Sequence, residues 1–262
     1  MTDSKKIANA KGLYLDGIRD GNLRDALDRY TGARYTQHST GVGNGKDGFL
    51  SFFEPFLERN PVRDIRVIRA IEDGSHVFLH VHQRLNNGEV EWVTADLFDT
   101  DEDDRMIEHW DVITQFEGKN PAGRTMVDGP VKVEDLDRTE DNKDIVGRFY
   151  EDILLNGRFE KITDYISTEQ YDQHAALAKD GIEGLYEHVQ RLQATYGAAQ
   201  YHKLHKLIGQ GNFVVAYGHL QRGDGHYAAF DIFRLKDGKL VEHWDVLEKI
   251  LPPEQWNNSG KF

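Results

Sequence analysis

The sequence predicts an α+β protein made of two tandem copies of one domain. The pentapeptide Glu-His-Trp-Asp-Val occurs at 108–112 and again at 242–246, which chance does not explain for residues as rare as His and Trp. Further matches recur about 135 residues apart, the length of a domain rather than of a solenoid repeat. In each copy helical periodicity comes before strand periodicity, the order typical of an α+β domain.

The repeat divides the chain into a first domain at 1–118, a linker at 119–139 and a second domain at 140–262. Glycine, proline and charged residues dominate the linker, a composition typical of a connection between domains. A chain of 262 residues is also the expected length for two domains.

Three helices are predicted to open each copy. Apolar residues follow helical spacing over 5–20, and again around Phe149 and Ile153, and both segments run into a glycine, Gly21 and Gly157. Glycine suits the left-handed residue that closes a helix. A short second helix is predicted at 22–31 and 158–166, followed by an extended Tyr-x-Gln-His segment.

A third helix is predicted to begin near Asp47 and near Ile182. Its first copy carries a stripe of phenylalanines, whereas the second carries Leu185, Val189 and Leu192. Such a stripe at helical spacing indicates core packing rather than a cofactor site.

Four strands are predicted to complete each copy, separated by turn residues such as Asp73-Gly74 and Asp237-Gly238. They lie at 63–72, 76–85, 90–99 and 105–116 in the first copy, and at 200–209, 212–221, 225–235 and 239–248 in the second.

The composition narrows the possible functions. A net charge of −13 disfavours nucleic acid and anionic membranes as partners. The chain has no cysteine, no apolar run long enough to span a membrane and no apolar leader, so we expect a cytoplasmic protein. No phosphate-binding glycine motif or dense His cluster is present, so the sequence predicts neither a nucleotide cofactor nor a metal.

Strand alternation places His243 and Asp245 on one face and Trp244 on the other, and His109 and Asp111 repeat this pattern opposite Trp110. Neighbouring strands are expected to add polar and aromatic side chains to the same face, which then resembles a small-molecule pocket. The predicted additions are Tyr217, His219 and Asp231 in the second copy, and His82, Trp92 and Asp96 in the first. Carboxylates and imidazoles on an apolar surface suit proton abstraction beside a carbonyl.

The two copies resemble the SnoaL-like polyketide cyclase family. The resemblance depends on the helix and strand order, on Tyr-x-Gln-His, and on the segment from Asp231 to Val246. It implies the cone-shaped α+β barrel of nuclear transport factor 2, with three helices against a curved sheet of four to six strands. It also implies cofactor-free aldol condensation, with Asp111 and Asp245 as acid/base residues beside His109 and His243. The matching pocket positions are Gln37, His38, His82, Gln173, His174 and His219.

Three functions follow as hypotheses. The first is a cofactor-independent acid/base enzyme acting on a small carbonyl compound, as a cyclase, isomerase or dehydratase. The second is a non-catalytic protein that binds a small apolar ligand, and the third is a scaffold for partner proteins. For any single His or Asp, a purely structural hydrogen bond is the competing explanation. His188, His202, His205 and His226 have no counterpart in the other copy and are interpreted as structural or surface residues.

The opposite sheet face is predicted to be apolar in both copies, with Trp110 and Trp244 on it. An apolar face of this kind calls for a partner. The sequence therefore predicts an intrachain pseudo-dimer of the two domains, and leaves a further homodimer open.

Overall fold

A computed structural model describes residues 3–262 of the chain. These residues form two compact units. One comprises the chain up to Gln115 together with Leu251–Phe262, and the other is Phe116–Ile250.

The first unit has three helices packed on a five-stranded sheet. Its elements are α1 (Lys5–Gly12, continued by a π-helical turn, Leu13–Arg19), α2 (Leu23–Tyr30), β1 (Thr31–Gln37), α3 (Gly45–Arg59), β2 (Arg63–Asp73), β3 (His76–Leu85), β4 (Val90–Thr100) and β5 (Met106–Gln115). The strand order is β1-β5-β4-β3-β2, with β1 parallel to β5 and the other neighbours antiparallel.

The second unit repeats this topology. Its elements are α4 (Thr139–Phe149, continued by a π-helical turn, Tyr150–Leu155), α5 (Ile162–Tyr165), β6 (Asp172–Gln173), α6 (Gly181–Tyr196), β7 (Ala199–Gln210), β8 (Phe213–Arg222), β9 (Gly225–Lys236) and β10 (Lys239–Lys249). The strand order is β6-β10-β9-β8-β7, again with one parallel pair at the edge.

The predicted fold class is confirmed in both units. The fifth strand of each sheet is the Tyr-x-Gln-His segment, whose backbone pairs with the strand that carries His-Trp-Asp. Gly21 and Gly157 end the first helices with φ of +85° and +65°, the left-handed conformation that the sequence predicted. Register shifts in β2 and β7 curve the sheets, as β-bulges do.

The segment 119–139 is an ordered part of the second unit rather than an independent linker. The Asn120 amide donates hydrogen bonds to the carbonyl oxygens of Gln173 and Ala175, and Arg124 forms ion pairs with Asp172 and Asp180. These polar side-chain contacts explain why the segment packs in one place.

The tail Leu251–Phe262 packs in an equivalent way on the first unit. The Asn257 N–H donates to the Thr40 carbonyl oxygen, and the Asn258 amide donates to those of Ser39 and Val42. Each unit is therefore completed by a segment that follows the last strand of the other copy.

The third helix distinguishes the two cores. In the first unit Phe49 is buried, and its ring centroid lies 4.3 Å from Phe53 and 6.1 Å from Tyr35. The corresponding residues of α6, Leu185 and Val189, are smaller and only partly covered. The aromatic side chains of α3 thus fill space that α6 leaves open.

We expect Phe49→Ala to lower the free energy of unfolding of the first domain by about 3–5 kcal/mol, because the substitution leaves a cavity in a closed core. Leu185→Ala, the matched control, should cost less than about 2 kcal/mol, because Leu185 already borders open space. Urea denaturation combined with hydrogen exchange of β3 and β8 would measure the two domains separately. Equal costs would contradict this description of the cores.

Candidate functional site

A cavity of about 660 Å³ lies between the sheet of the second unit and its helices. This volume is in the range that accommodates a drug-sized organic molecule. The apolar part of its wall is formed by Phe149, Ile153, Leu154, Tyr171, Leu185, Val189, Leu192, Tyr201 and Phe233. Helix α6 supplies three of these residues from one face, which has the spacing i, i+4, i+7.

A chain of hydrogen bonds forms the polar part of the cavity wall. The Tyr150 hydroxyl donates to Asp231 Oδ2 at 2.5 Å. His243 lies between Asp231, 3.0 Å from Nε2, and the Gln173 amide oxygen, 3.0 Å from Nδ1. Asp231, Gln173 and His243 all line the cavity, as the sequence predicted, and a hydrogen bond on each ring nitrogen fixes the imidazole.

Asp245 is the carboxylate available to a ligand. It faces the cavity and lies directly opposite Asp231 in the β9–β10 register. Among residues 3–262 no group donates a hydrogen bond to it. Trp244 points to the other face, where its indole N–H donates to the Asp128 carbonyl oxygen at 3.0 Å, so the alternation predicted for β10 is confirmed.

His188 is a cavity residue that the sequence analysis assigned to structure or surface. Its Nδ1 is buried without a hydrogen-bond partner among the described residues. Burial lowers the pKa of His188, although the nearby Asp245 carboxylate opposes this shift. A neutral imidazole therefore faces the cavity near neutral pH. Its spacing from Leu185 and Leu192 on one helix face was the available signal for this position.

The first unit repeats the hydrogen-bonded chain. Tyr14 donates to Asp96 at 2.7 Å, and His109 lies 2.9 Å from both Asp96 and the Gln37 amide oxygen. Here, however, the side chains of α3 occupy the space over the sheet, and Tyr35, Phe49 and Phe98 belong to one closed core. The polar chain thus persists where the core is filled, so its formation does not depend on an open cavity.

Asp111, the counterpart of Asp245, is held in an ion pair. Lys261 from the C-terminal tail, which is almost fully buried, donates to its carboxylate at 2.9 Å. Burial alone would raise the pKa of Asp111, but the charges of Lys261 and His109 outweigh it and hold the pKa below its usual value. An ion-paired carboxylate under a filled core is not placed to act on a ligand.

Asp111 has a lysine partner and Asp245 does not, and the residues Lys261 and Met126 at equivalent positions account for this difference. His38 Nδ1 bonds to the Gly260 carbonyl oxygen, and His174 Nδ1 bonds to that of Thr125. Lys261 follows Gly260, whereas the buried Met126 follows Thr125. Methionine carries no charge, so the second unit has no ammonium group at this position.

Three predicted pocket residues lie on the opposite sheet face. Across the sheet, His82 pairs with Val93, His219 with Ala228 and Tyr217 with Phe230, whereas Asp96 and Asp231 point to the other side. The prediction was wrong here because alternation within one strand does not reveal its register with the next strand. Trp92 shares the face of Asp96 but lies at the strand end, opposite Gln83 and Gln115.

His38 and His174 do not line the cavity either. Each stacks on the tryptophan of its own unit, at 4.9 Å for Trp110 and 4.5 Å for Trp244. His174 Nε2 also lies 2.8 Å from the buried Glu242 carboxylate, and His38 Nε2 lies 2.9 Å from that of Glu108. These contacts attach the segments after β5 and β10 to the sheets, which is a structural role that the motif did not reveal.

Within 3–262, no group of three or more His, Asp or Glu side chains is arranged to hold a metal ion. No helix in this range is long and apolar enough to cross a bilayer.

The described residues define a tandem α+β protein with a cavity of about 660 Å³ in its second unit. The family model of the SnoaL-like domain matches the chain twice, over residues 13–109 and 146–243. The chain therefore belongs to the SnoaL-like domain family. None of the curated proteins compared with it matches.

Solved structures similar to the chain each correspond to about one domain. IdmH from Streptomyces antibioticus, a proposed polyketide cyclase, is 18% identical over 41% of this chain and 91% of its own, with a TM-score of 0.34. A proposed ketosteroid isomerase from Kribbella flavida is 15% identical over 44% of this chain and 84% of its own, with a TM-score of 0.37. AclR from Streptomyces galilaeus, a proposed hydroxylase, is 14% identical over 42% of this chain and 90% of its own, with a TM-score of 0.35.

We expect Lys261→Met, which copies Met126, to destabilise the first domain by about 3–5 kcal/mol at pH 7, because it leaves the Asp111 carboxylate buried without its cation. The double variant with Asp111→Asn should recover much of this loss. Because the pKa of Asp111 is lowered on folding, the ion pair stabilises the domain above the ordinary carboxyl pKa of about 3.9 and loses its effect as the pH falls below it.

Urea denaturation of the wild type and the three variants at pH 7 and at pH 3 would measure both effects. An equal cost of Lys261→Met at the two pH values would contradict the ion pair as the source of stability.

Proposed function

We propose that the second domain is a cofactor-independent acid/base site for a small carbonyl compound, with Asp245 as the acid/base residue. The observation that carries this proposal is the position of Asp245, whose carboxylate has no hydrogen-bond donor among the described residues and faces a cavity of about 660 Å³. Membership of the SnoaL-like domain family supports the same reaction class.

The proposed step is a proton transfer. Asp245 takes a proton from the carbon next to the ligand carbonyl, and the electron pair of that C–H bond moves toward the carbonyl oxygen. The neutral His188 donates a hydrogen bond to the developing enolate oxygen, since burial keeps its pKa below the usual value. The enolate then attacks a second carbonyl carbon, and the alkoxide formed there takes the proton back from Asp245, which gives an aldol product. Alternatively, a conjugated enolate recovers the proton from Asp245 at another carbon, which gives an isomer.

Asp231 and His243 act as positioning residues in this proposal. Asp231 already accepts hydrogen bonds from Tyr150 and His243, so its oxygens are engaged within the wall. The same bonds hold β9 and β10 in place, and Asp245 is directly opposite Asp231 on those strands. The geometry of the base therefore depends on the chain of hydrogen bonds, while the proton transfer itself belongs to Asp245.

The first domain has a structural role in this proposal. The sequence predicted twin sites, but Asp111 is paired with Lys261 and the rings of α3 lie over the sheet. We therefore assign turnover to the second cavity alone.

A non-catalytic ligand-binding protein is the second candidate. The aromatic and aliphatic side chains that dominate the cavity wall support it, because a pocket of this composition binds apolar molecules without any reaction. The intrachain pseudo-dimer, the homodimer and the cytoplasmic location stay predictions from the sequence.

We expect Asp245→Asn to lower the rate of proton exchange in a bound ketone at least 100-fold, because the amide cannot accept the proton. The melting temperature should change little, since Asp245 makes no hydrogen bond that the substitution would break. Deuterium uptake from D₂O into a panel of bicyclic aryl ketones such as 1-tetralone, followed by mass spectrometry, measures the exchange.

Asp111→Asn is the matched control. It should leave exchange unchanged while destabilising the first domain, the reverse of the pattern for Asp245→Asn. Ketone binding without exchange in the wild type would favour the non-catalytic candidate, and equal loss of exchange in both variants would refute the assignment to one domain.

A further inference from the structure

Arg222 is a cation in the cavity wall that the proposed proton transfer does not use. It is the last residue of β8 and lines the cavity together with Tyr201 of β7. Its Nε is buried and has no hydrogen-bond partner, and no carboxylate of residues 3–262 forms an ion pair with its guanidinium group. Burying a guanidinium N–H without an acceptor is costly, and this half-buried side chain lines a cavity, so the arrangement suggests an acceptor supplied from outside the chain.

The position of Arg222 separates it from the acid/base group. Arg222 pairs with Gly225 on β9, whereas Asp245 pairs with Asp231, six residues further along the same strand. Six residues of β-strand extend for roughly 20 Å between backbone positions, and the long arginine side chain shortens that distance. Arg222 and Asp245 are therefore separated along the sheet, while the charges of both act on His188 in the same cavity wall, so one elongated ligand can reach both.

The first domain offers a natural comparison. Leu85 is the last residue of β3, as Arg222 is of β8, and it is buried. The position thus holds a leucine where the core is filled and an arginine where a cavity is open. Strand pairing alone does not require the cation, because the leucine at the same strand end supports the same sheet.

The cations near the cavity limit the kind of anion that would fit. Arg191 is exposed and donates to the Leu177 carbonyl oxygen, and the exposed Lys249 passes beside Gly225, the strand partner of Arg222. Neither of these two cations lines the cavity. Arg222 thus offers one planar guanidinium, which matches a carboxylate through two parallel N–H bonds. A phosphate dianion would call for more positive charge.

We propose that the cavity takes an amphipathic organic acid, whose carboxylate binds Arg222 and whose apolar body extends along the wall toward Asp245. The part of this inference that concerns a carbonyl near Asp245 rests on the proposed function, whereas the carboxylate at Arg222 does not. The ligand class is then a keto acid with a ring system or chain between its two polar ends. Tyr201, Leu192 and Val189 supply apolar contacts for that middle part.

The test compares two probes of nearly equal shape, 2-naphthoate and the uncharged 2-naphthamide. Isothermal titration calorimetry on the full chain should give a dissociation constant at least tenfold lower for 2-naphthoate. Arg222→Leu, which copies Leu85, should abolish this preference while it leaves the affinity for 2-naphthamide within about twofold. Circular dichroism would establish that the variant folds, and Arg222→Gln repeats the test with a side chain that retains hydrogen-bond donors.

Arg191→Gln is the matched control, because it removes a positive charge from the same region without touching the cavity wall. It should leave the preference for 2-naphthoate intact. The proposal is overturned if the wild type does not prefer 2-naphthoate, if Arg222→Leu weakens both probes equally, or if Arg191→Gln removes the preference as well.

Asp245→Asn separates this proposal from the proposed function. The variant should keep the preference for 2-naphthoate, since Asp245 lies at the other end of the cavity. A retained preference together with unchanged deuterium exchange in Asp245→Asn would refute the catalytic proposal alone. If Arg222 binds the carboxylate, Arg222→Leu must lose the preference for 2-naphthoate, whether or not the protein catalyses exchange.

Discussion

Each domain depends on one buried aspartate in the middle strand of its sheet, Asp96 in β4 and Asp231 in β9. Asp231 accepts hydrogen bonds from Tyr150 of the first helix and from His243 of the neighbouring strand, and Asp96 does the same with Tyr14 and His109. A carboxylate in an apolar interior costs several kcal/mol unless such donors surround it. The bonds to the aspartate therefore attach the first helix of each domain to its sheet in one register. The edge strand is attached as well, because Gln173 or Gln37 on that strand bonds to the same imidazole.

With this framework in place, the third helix is the element that differs between the domains. Phenylalanines on α3 close the first core, and the smaller Leu185, Val189 and Leu192 on α6 leave a cavity over an equivalent sheet. The hydrogen-bonded chain looked catalytic in the sequence because it is rich in His and Asp. Its presence under both a filled and an open core means that the chain forms without a cavity, whereas Asp245 faces the open cavity of the second domain.

Much of this arrangement could be predicted from the sequence. The repeated pentapeptide and the helix and strand order predicted both domains, and alternation in β10 correctly separated Asp245 from Trp244. The faces of His82, Tyr217 and His219 could not be predicted, because a period of two leaves the register between strands undetermined. The cavity positions of His188 and Arg222 and the ion pair of Lys261 were missed for another reason, since none of the three has a chemically similar counterpart in the other copy.

The segments after the last strands show how a repeat can acquire different chemistry without changing its fold. Both segments bond to the equivalent histidines, His38 and His174, through a backbone carbonyl oxygen, so their attachment does not depend on the side chain that follows. That following residue is Lys261 on the first unit and Met126 on the second. This position in a segment outside the sheet supplies the ammonium group that pairs with Asp111, and it supplies no charge near Asp245. Because the lysine compensates the charge of a mostly buried carboxylate, the first domain can cover Asp111 under a filled core, whereas Asp245 faces the cavity.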